Sequence, residues 1–427
     1  MRQTPDNSKK TVLLKNTVML YVLTFSSYIL GFLVIPYETR VLHTEKFGLV
    51  GLAMAIMIYF QKTIDFGFIL SATEDVSRHQ DDRKELSRIF TAVTLGKLLL
   101  AILSGAVLLL LCQLVPRWQG NTGFFFLYLA ATALGCLMPD FLYRGLEQMG
   151  AITVRTVLIK IFFTAMIFLV LRGPEDYIRI PILNIIGNGA ALVGVYIHLH
   201  RKLGLQFTRC TWREMMESLR RSRSFFLSRI ATTSYTAVNT ILLDLVSGGT
   251  ATAFYSSADK VVNIAKGVFF PISDSLYPYM TKNRDFRLVK KLLFVAEPLI
   301  LLGCAVVFIW AEPLCALFFG EEYAPTGQVL RAMLPMIAAL LPNYILGFPT
   351  LSAMGLTRFA NYAVIFASAV HVFNLALFFF LGKLNMVSMG WLASVAELAI
   401  LAFQIVVIVR NRSKIAPQNA ERKEGQA

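Results

Sequence analysis

Residues 90–114 read FTAVTLGKLLLAILSGAVLLLLCQL, a stretch in which Lys97 is the single charged residue. A helix needs about 20 apolar residues to cross the hydrocarbon core of a bilayer, so this stretch predicts a membrane-spanning helix. Similar stretches, such as residues 158–171, follow one another along the chain with short gaps. The predicted fold class is therefore all-α, a polytopic integral membrane protein.

The other hydrophobic windows, separated by charges and by Gly, Pro or Asn, extend this pattern to twelve helices. The predicted spans cover residues 12–35, 45–70, 89–114, 121–143, 152–171, 178–200, 223–246, 253–280, 289–311, 328–353, 359–381 and 386–409. A basic segment near the middle of the chain divides them into two sets of six. We therefore expect an N-lobe at 12–200, a linker at 201–222, a C-lobe at 223–410, and tails at 1–11 and 411–427. Two equivalent bundles around a central cavity are a common transporter plan.

The composition argues against a soluble enzyme. Of the 427 residues, 56% are hydrophobic and 16% are charged, whereas soluble domains have about 45–50% apolar and about 25% charged residues. The longest gap between predicted spans, residues 201–222, leaves no room for a soluble catalytic domain. The sequence thus predicts a protein that is not an enzyme and whose helices carry the function.

The distribution of Lys and Arg predicts the orientation in the membrane. With both termini on one side, 28 of the 41 Lys and Arg residues fall in the tails and loops of that side, and seven in the opposite loops. Cytoplasmic loops are enriched in Lys and Arg, so both termini are predicted to be cytoplasmic. The net charge of +15 is thereby accounted for without a nucleic-acid partner.

The sequence does not indicate a metal, disulfide or nucleotide site. The five cysteines include no CxxC pair, which argues against a zinc site and a disulfide framework. His198 and His200 are two residues apart, about 200° around a helix, and cannot bind one metal from one face. The chain contains no P-loop. We therefore expect neither a metal nor a cofactor.

Polar residues form stripes on predicted spans seven and eight. A charge at mid-membrane costs about 2.5–3.5 kcal/mol on insertion scales and normally faces a bundle interior or a watery cavity. In span seven the stripe consists of Arg229, Thr233, Thr236, Thr240 and Asp244. In span eight it consists of Ser256, Lys260, Asn263, Gly267 and Asp274, with Asp259 and Lys266 on its flank. A cavity with a cationic lining favours an anionic substrate. The alternative is that such charges are structural, as for Lys97 and Lys160, which are within reach of a helix end.

Several segments resemble one known family, the bacterial oligosaccharide-lipid flippases of the O-antigen type. The segments are 65–78 (DFGFILSATEDVSR), 143–149 (YRGLEQM), 226–229 (FLSR), 253–260 (AFYSSADK) and 277–280 (YPYM). The first resembles the end of the family's second helix, and the fourth, continuing through Pro271 to the fifth, resembles its GxYSxADK…P…YP segment. Arg144 stands where the family has Gln, and Ala253 where it has Gly.

The resemblance implies a member of the multidrug/oligosaccharidyl-lipid/polysaccharide exporter superfamily, with two six-helix lobes in the bacterial inner membrane. Its substrate would be an undecaprenyl-pyrophosphate-linked oligosaccharide, moved from the cytoplasmic to the periplasmic leaflet by alternating access. Membrane lipid, a polysaccharide polymerase and chain-length machinery are the other partners implied. Coupling to a proton or sodium gradient would make Asp65, Glu297 or Glu397 the ion carrier. For Asp65 the alternative is a structural pair with Lys62 or Arg78.

Two other classes remain open at this point. A multidrug exporter of the same superfamily would share the architecture, but its cavity would suit cations and carry acidic stripes. A membrane-embedded polysaccharide polymerase or ligase would be an enzyme, and would carry a large periplasmic loop that this chain lacks.

Overall fold

The structure is a computed structural model that describes residues 7–412. Within this range it leaves aside the side chains of residues 7–25, 27, 28, 227–229, 231–236 and 278. The regular elements of the described range are all helical, with no strand among them. The chain divides into two compact units, Met1–Ile241 and Leu242–Ala427.

The first unit contains the helices that correspond to predicted spans one to six. They are α1 Asn7–Asp65, α2 Phe68–Arg78, α3 Arg83–Leu114, α4 Pro116–Gln119, α5 Thr122–Cys136, α6 Asp140–Gly145, α7 Met149–Val170 and α8 Arg179–His198. A 3₁₀ turn, Pro174–Ile178, precedes α8, and a π-helical turn, Leu199–Leu203, follows it. The predicted linker at 201–222 also lies within this unit. The boundary between two six-helix lobes stays a prediction.

The second unit contains the remaining spans, and α9 crosses the division between the units. The helices are α9 Trp212–Ser247, α10 Gly249–Asn283, α11 Phe286–Phe319, α12 Thr326–Ile345, α13 Leu351–Ala353, α14 Thr357–Phe380 and α15 Met386–Arg410. A π-helical turn, Leu346–Thr350, joins α12 to α13, and its Gly347 departs from helical geometry at ψ −115°.

Nine segments of the described residues are long and apolar enough to span a membrane. Ile29–Arg78 counts as one of them, although His43, with φ 54°, separates predicted spans one and two. α10 is long enough but is not among the nine, since Asp259, Lys260 and Lys266 make it more polar. The all-α, polytopic prediction is confirmed, while the count of twelve spans is consistent with the helices but stays a prediction.

The predicted second span is interrupted just after Asp65. Phe66 and Gly67 both have positive φ, 40° and 79°, before the chain resumes as α2. A Cβ atom at Gly67 would lie 2.7 Å from the Cβ of Phe225 and 2.9 Å from the backbone nitrogen of Phe226. Glycine is therefore required here twice, by the left-handed conformation and by the close approach of α9.

The core of the second unit is centred on α12, which packs against α10, α11 and α15. α12 and α15 approach closely at Gly390, where a Cβ atom would lie 3.0 Å from the Cβ of Ala332. The buried Ser394 hydroxyl donates a hydrogen bond to the Ala332 carbonyl at 2.6 Å. This contact fixes the register between the two helices and so positions the polar residues further along them.

Candidate functional site

The predicted substrate residues of span eight lie on α10. Lys260 and Lys266 are half-buried, and Asn263 is exposed. The Asn263 amide donates a hydrogen bond to the Asp259 carboxylate at 2.9 Å. Asp259, Asn263 and Lys266 are spaced four and three residues apart, so they share one face of the helix. The α10 face thus combines cations, an amide and one carboxylate.

The other predicted substrate residues, Arg229, Thr233 and Thr236, belong to α9. Their side chains lie outside the described residues. Their role stays a prediction from the sequence.

A second polar group lies between α12 and α15. Glu397, only 6% exposed, accepts a hydrogen bond from the side-chain amide of Asn343 at 2.9 Å. The same amide donates to the Glu397 backbone carbonyl at 3.0 Å. The other amide atom, Asn343 Oδ1, is buried and has no hydrogen-bond partner in the described part of the chain. One face of this contact therefore presents a carboxylate and a free amide oxygen.

Lys266 connects the two polar groups electrostatically. Its charge acts on the carboxylate of Asp259 on α10 and on that of Glu397 on α15. Lys260 acts more weakly on Asp259. We call Asp259, Asn263, Lys266, Asn343 and Glu397 the carboxylate cluster. Within it, Lys266 is the cation that acts on both carboxylates.

A further buried amide on α15 lies against the π-helical turn that follows α12. Gln404, seven residues after Glu397 on α15, is 3% exposed. Its Nε2 atom would lie 3.2 Å from a Cβ atom placed on Gly347. Its Oε1 is buried without a hydrogen-bond partner among the described residues. Irregular helices that bring polar groups into a bundle are typical of transporter binding sites.

The first unit contains a different arrangement around Asp65. Lys97, 4% exposed, forms an ion pair with Asp65 at 3.1 Å. Its ammonium also donates a hydrogen bond to the Cys136 carbonyl at 2.5 Å and lies 5.9 Å from the centre of the Phe141 ring. The contacts of Lys97 agree with the alternative that its charge is structural, in the form of a pair inside the bundle and not of an ammonium at the membrane surface.

The neighbours of Asp65 hold this part of α1 firmly in place. Phe66 stacks on Phe226 with ring centres 4.4 Å apart. The hydroxyls of Ser71 and Ser222 form a buried hydrogen bond at 2.6 Å. Together with the Gly67 contact, these interactions attach α9 to the break between α1 and α2.

The third predicted ion carrier, Glu297, lies on α11. One of its carboxylate oxygens, Oε2, is buried and has no hydrogen-bond partner within the described ranges. No group of three or more His, Cys, Asp and Glu side chains that could hold a metal ion occurs among the described residues.

Sequence reasoning missed Asn343, Gln404 and the partner of Asp65. Asn343 follows Pro342 in an apolar span, and a strong amide at such a position is a signal that could have been used. No signal in the sequence pairs Asp65 with Lys97, because the contact depends on which helices touch.

Comparison with known proteins adds evidence from outside the chain. A family model described as "Polysaccharide biosynthesis protein" matches residues 13–284. A candidate O-antigen transporter of Shigella dysenteriae is 27% identical over 381 residues, covering 87% of this chain and 95% of that protein. A candidate O-antigen transporter of Escherichia coli strain K12 is 26% identical over 340 residues, covering 77% and 81%.

Two solved structures have the same fold. The lipid II flippase MurJ, in its inward closed conformation, superimposes with a TM-score of 0.72 at 14% identity, covering 93% of this chain and 90% of that one. An inward-facing multidrug resistance transporter of the MATE family, from the MOP superfamily, gives a TM-score of 0.67 at 13% identity, covering 93% and 98%. The chain thus has the helical arrangement of these two structures.

Proposed function

Because the chain belongs to the polysaccharide biosynthesis protein family, we propose that it is a flippase for lipid-linked oligosaccharides. The substrate is an undecaprenyl-pyrophosphate-linked O-antigen unit or a related surface polysaccharide unit. It moves from the cytoplasmic to the periplasmic leaflet of the bacterial inner membrane by alternating access. The relatives named as candidate O-antigen transporters support this assignment.

The observation that carries the proposal is the polar face of α10. Lys260 and Lys266 supply cations, and Asn263 supplies an amide, on a helix otherwise embedded among apolar ones. A pyrophosphate binds cations strongly where water is scarce, and sugar hydroxyls exchange hydrogen bonds with amides. Arg229, Thr233 and Thr236 of α9 are further proposed substrate residues, from the sequence alone.

The carboxylate cluster suggests how transport is coupled to an ion gradient. When the substrate pyrophosphate binds Lys266, it takes the positive charge that otherwise compensates Asp259 and Glu397. An uncompensated carboxylate away from water is costly. Uptake of a proton or a sodium ion at Glu397, beside the free Asn343 Oδ1, relieves this cost. Glu397 is therefore the proposed carrier, ahead of Asp65 and Glu297.

A fluorescent lipid-linked oligosaccharide, reconstituted with the purified chain in proteoliposomes, tests the proposal. We expect Lys260→Ala to stop movement between leaflets, and Lys260→Arg to retain part of it, because the charge remains while its shape differs. Lys290 is an exposed residue of α11. Lys290→Ala is the matched control and should transport normally. Normal transport by Lys260→Ala would contradict the role of α10.

The topology belongs to the same proposal and has its own test. Both termini are cytoplasmic, and the turn containing Gly248 and Gly249 is periplasmic, because 28 Lys and Arg residues fall on one side and seven on the other. A cysteine placed at Gly249 should react with an impermeant reagent from outside intact cells. A cysteine placed at Gln418 should react only after permeabilisation, and the opposite pattern would reverse the topology.

A multidrug exporter is the second candidate, because a MATE transporter has the same fold. Such an exporter would move cationic dyes, which the two lysines of α10 would repel. Dye accumulation by the same proteoliposomes, in the absence of oligosaccharide lipid, would favour this candidate instead.

A further inference from the structure

A groove lies between α3 and α8 in the first unit. Its volume is about 610 Å³, and apolar residues such as Leu98, Leu137 and Val193 line most of it. Leu98 and Ile197 are 40% and 49% exposed along its edges, and Val193 is 61% exposed. Exposed aliphatic side chains on spanning helices face lipid. The groove is therefore open to the acyl chains of the bilayer.

One end of this groove is cationic. His200 and Arg201, in the π-helical turn after α8, form part of its lining. These residues mark the level at which the membrane interior gives way to water, because Lys and Arg near helix ends extend toward the interface.

A second pocket, of about 430 Å³, lies next to that end. Its lining includes four cations, Arg83, Lys84, Arg88 and Arg209, together with hydroxyl and amide groups but no carboxylate. Arg88 is paired with Glu214 at 2.8 Å. No ion pair joins the other three cations to a carboxylate among the residues that the structure describes. They are available to an external anion.

A short segment, residues 204–209, connects the two pockets and is attached to α3. The backbone N–H groups of Gln206 and Thr208 donate to the hydroxyls of Ser87 and Thr91, at 3.3 and 3.0 Å. Phe207 packs on Phe90 with ring centres 4.9 Å apart. Gly204, with φ 66°, reverses the chain after the π-helical turn. The shape of the site is therefore fixed before any ligand binds.

The pockets are also continuous. A third cavity, of about 310 Å³, shares Tyr196, His200 and Phe207 with the apolar groove and Gln206 with the basic pocket. The apolar groove and the cluster of cations thus adjoin one cavity. This order matches an amphiphile with one apolar chain and a negatively charged headgroup.

We propose that this surface is a binding site for an anionic phospholipid. The phosphate lies against Arg83, Lys84 and Arg209, and an acyl chain occupies the groove beside Val193. Basic pockets between spanning helices on the cytoplasmic side bind anionic headgroups in this way. A groove of about 610 Å³ suits an acyl chain better than a much longer polyprenyl tail. The site does not depend on the proposed flippase activity.

Native mass spectrometry of the purified full chain tests this site. Phosphatidylglycerol and phosphatidylcholine with identical acyl chains are added in turn, so that only the headgroup charge differs. We expect phosphatidylglycerol to bind at least about tenfold more tightly, given the strength of attraction between basic residues and anionic lipids. The triple variant R83Q/K84Q/R209Q should lose this preference. The control K282Q/K290Q/K291Q removes three cations elsewhere and should keep it.

If the triple variant does not fold, a variant that fills the apolar groove tests the same site. Val193→Trp leaves every cation in place and should lower phosphatidylglycerol binding by blocking the acyl chain. Equal binding of the two lipids by the wild-type chain would overturn the proposal, as would unchanged preference in the folded triple variant. Displacement of phosphatidylglycerol by an equimolar polyprenyl pyrophosphate would also overturn it, and would assign the groove to the flippase substrate.

Discussion

Two groups of charges inside the helical bundles, one in each unit, differ in how their charges balance. In the first unit one carboxylate, Asp65, meets one ammonium, Lys97, at 3.1 Å. In the carboxylate cluster of the second unit, the charge of Lys266 acts on both Asp259 and Glu397, Lys260 acts more weakly on Asp259, and the buried Asn343 Oδ1 has no partner among the described groups.

This difference in charge balance suggests a structural role for the Asp65–Lys97 pair and a transport role for the carboxylate cluster. A balanced pair that is tightly packed has no reason to exchange an ion, because both charges are already satisfied. A group that shares one cation between two carboxylates responds to anything that takes that cation. We therefore propose that the first pair contributes to stability and the second group to the coupling of transport.

The largest effect is expected from breaking the balanced pair. Lys97→Met leaves Asp65 without its cation inside the bundle, and should lower the free energy of unfolding by about 3 kcal/mol. The double variant K97M/D65N removes both charges and should recover most of that loss. Thermal unfolding and membrane abundance of the two variants provide the measurement. A stable Lys97→Met variant that fails only in transport would contradict the structural assignment.

A smaller effect on stability is expected at Gly67, where α9 packs against the chain next to the Asp65–Lys97 pair. Gly67→Ala adds a Cβ atom that would lie 2.7 Å from Phe225, at a φ of 79°. We expect a loss of about 1–3 kcal/mol from the strained backbone, together with the separation of Phe66 from Phe226. Gly150→Ala, where a Cβ atom meets nothing within 4 Å, is the control. Equal melting temperatures for both variants would show that the packing of Gly67 against Phe225 does not contribute to stability.

The smallest effect on stability is expected at an exposed ion pair, Arg88 with Glu214. Its contribution serves as a reference for the two groups of charges inside the bundles. Hydrogen bonds from the Thr211 backbone and hydroxyl, and the nearby Arg88, lower the pKa of Glu214. A lowered folded-state pKa contributes stability above the unfolded pKa of about 4.3, which is lost as the pH falls through the folded value. The melting temperature of the wild-type chain relative to Glu214→Gln should therefore stay constant from pH 7 to about 5 and converge below about pH 4. If the two melting temperatures converged near neutral pH instead, the lowered pKa of Glu214 would be contradicted.

The helices were predictable from the sequence and the pairing of their charges was not. Each apolar window is a local property, so α3 and α15 match predicted spans 89–114 and 386–409 closely. The partner of Asp65 lies 32 residues away on another helix, and the partner of Glu397 lies 54 residues away. Such contacts depend on helix packing, which composition and spacing do not specify.

The break after Asp65 was likewise not predictable as a break. The residues Phe66 and Gly67 lie in a window that reads as apolar and helical, and a glycine in such a window does not by itself end a helix. The positive φ and the close approach of α9 at Phe225 together make glycine necessary at this position. The positions of Lys260 and Lys266 on α10 can be read from the sequence because helical spacing is local, while their role in substrate binding stays a prediction.

The contrast between the Asp65–Lys97 pair and the carboxylate cluster is tested most directly by gradient-driven transport. Glu397→Gln and Asp65→Asn are each reconstituted in proteoliposomes of the same composition. Both substitutions keep shape and hydrogen bonding while removing a titratable charge. We predict that Glu397→Gln binds the lipid-linked oligosaccharide but no longer responds to a proton or sodium gradient. We predict that Asp65→Asn, per folded molecule, still responds. Full gradient-driven transport by Glu397→Gln, with loss of the response in Asp65→Asn, would contradict the assignment of coupling to the carboxylate cluster.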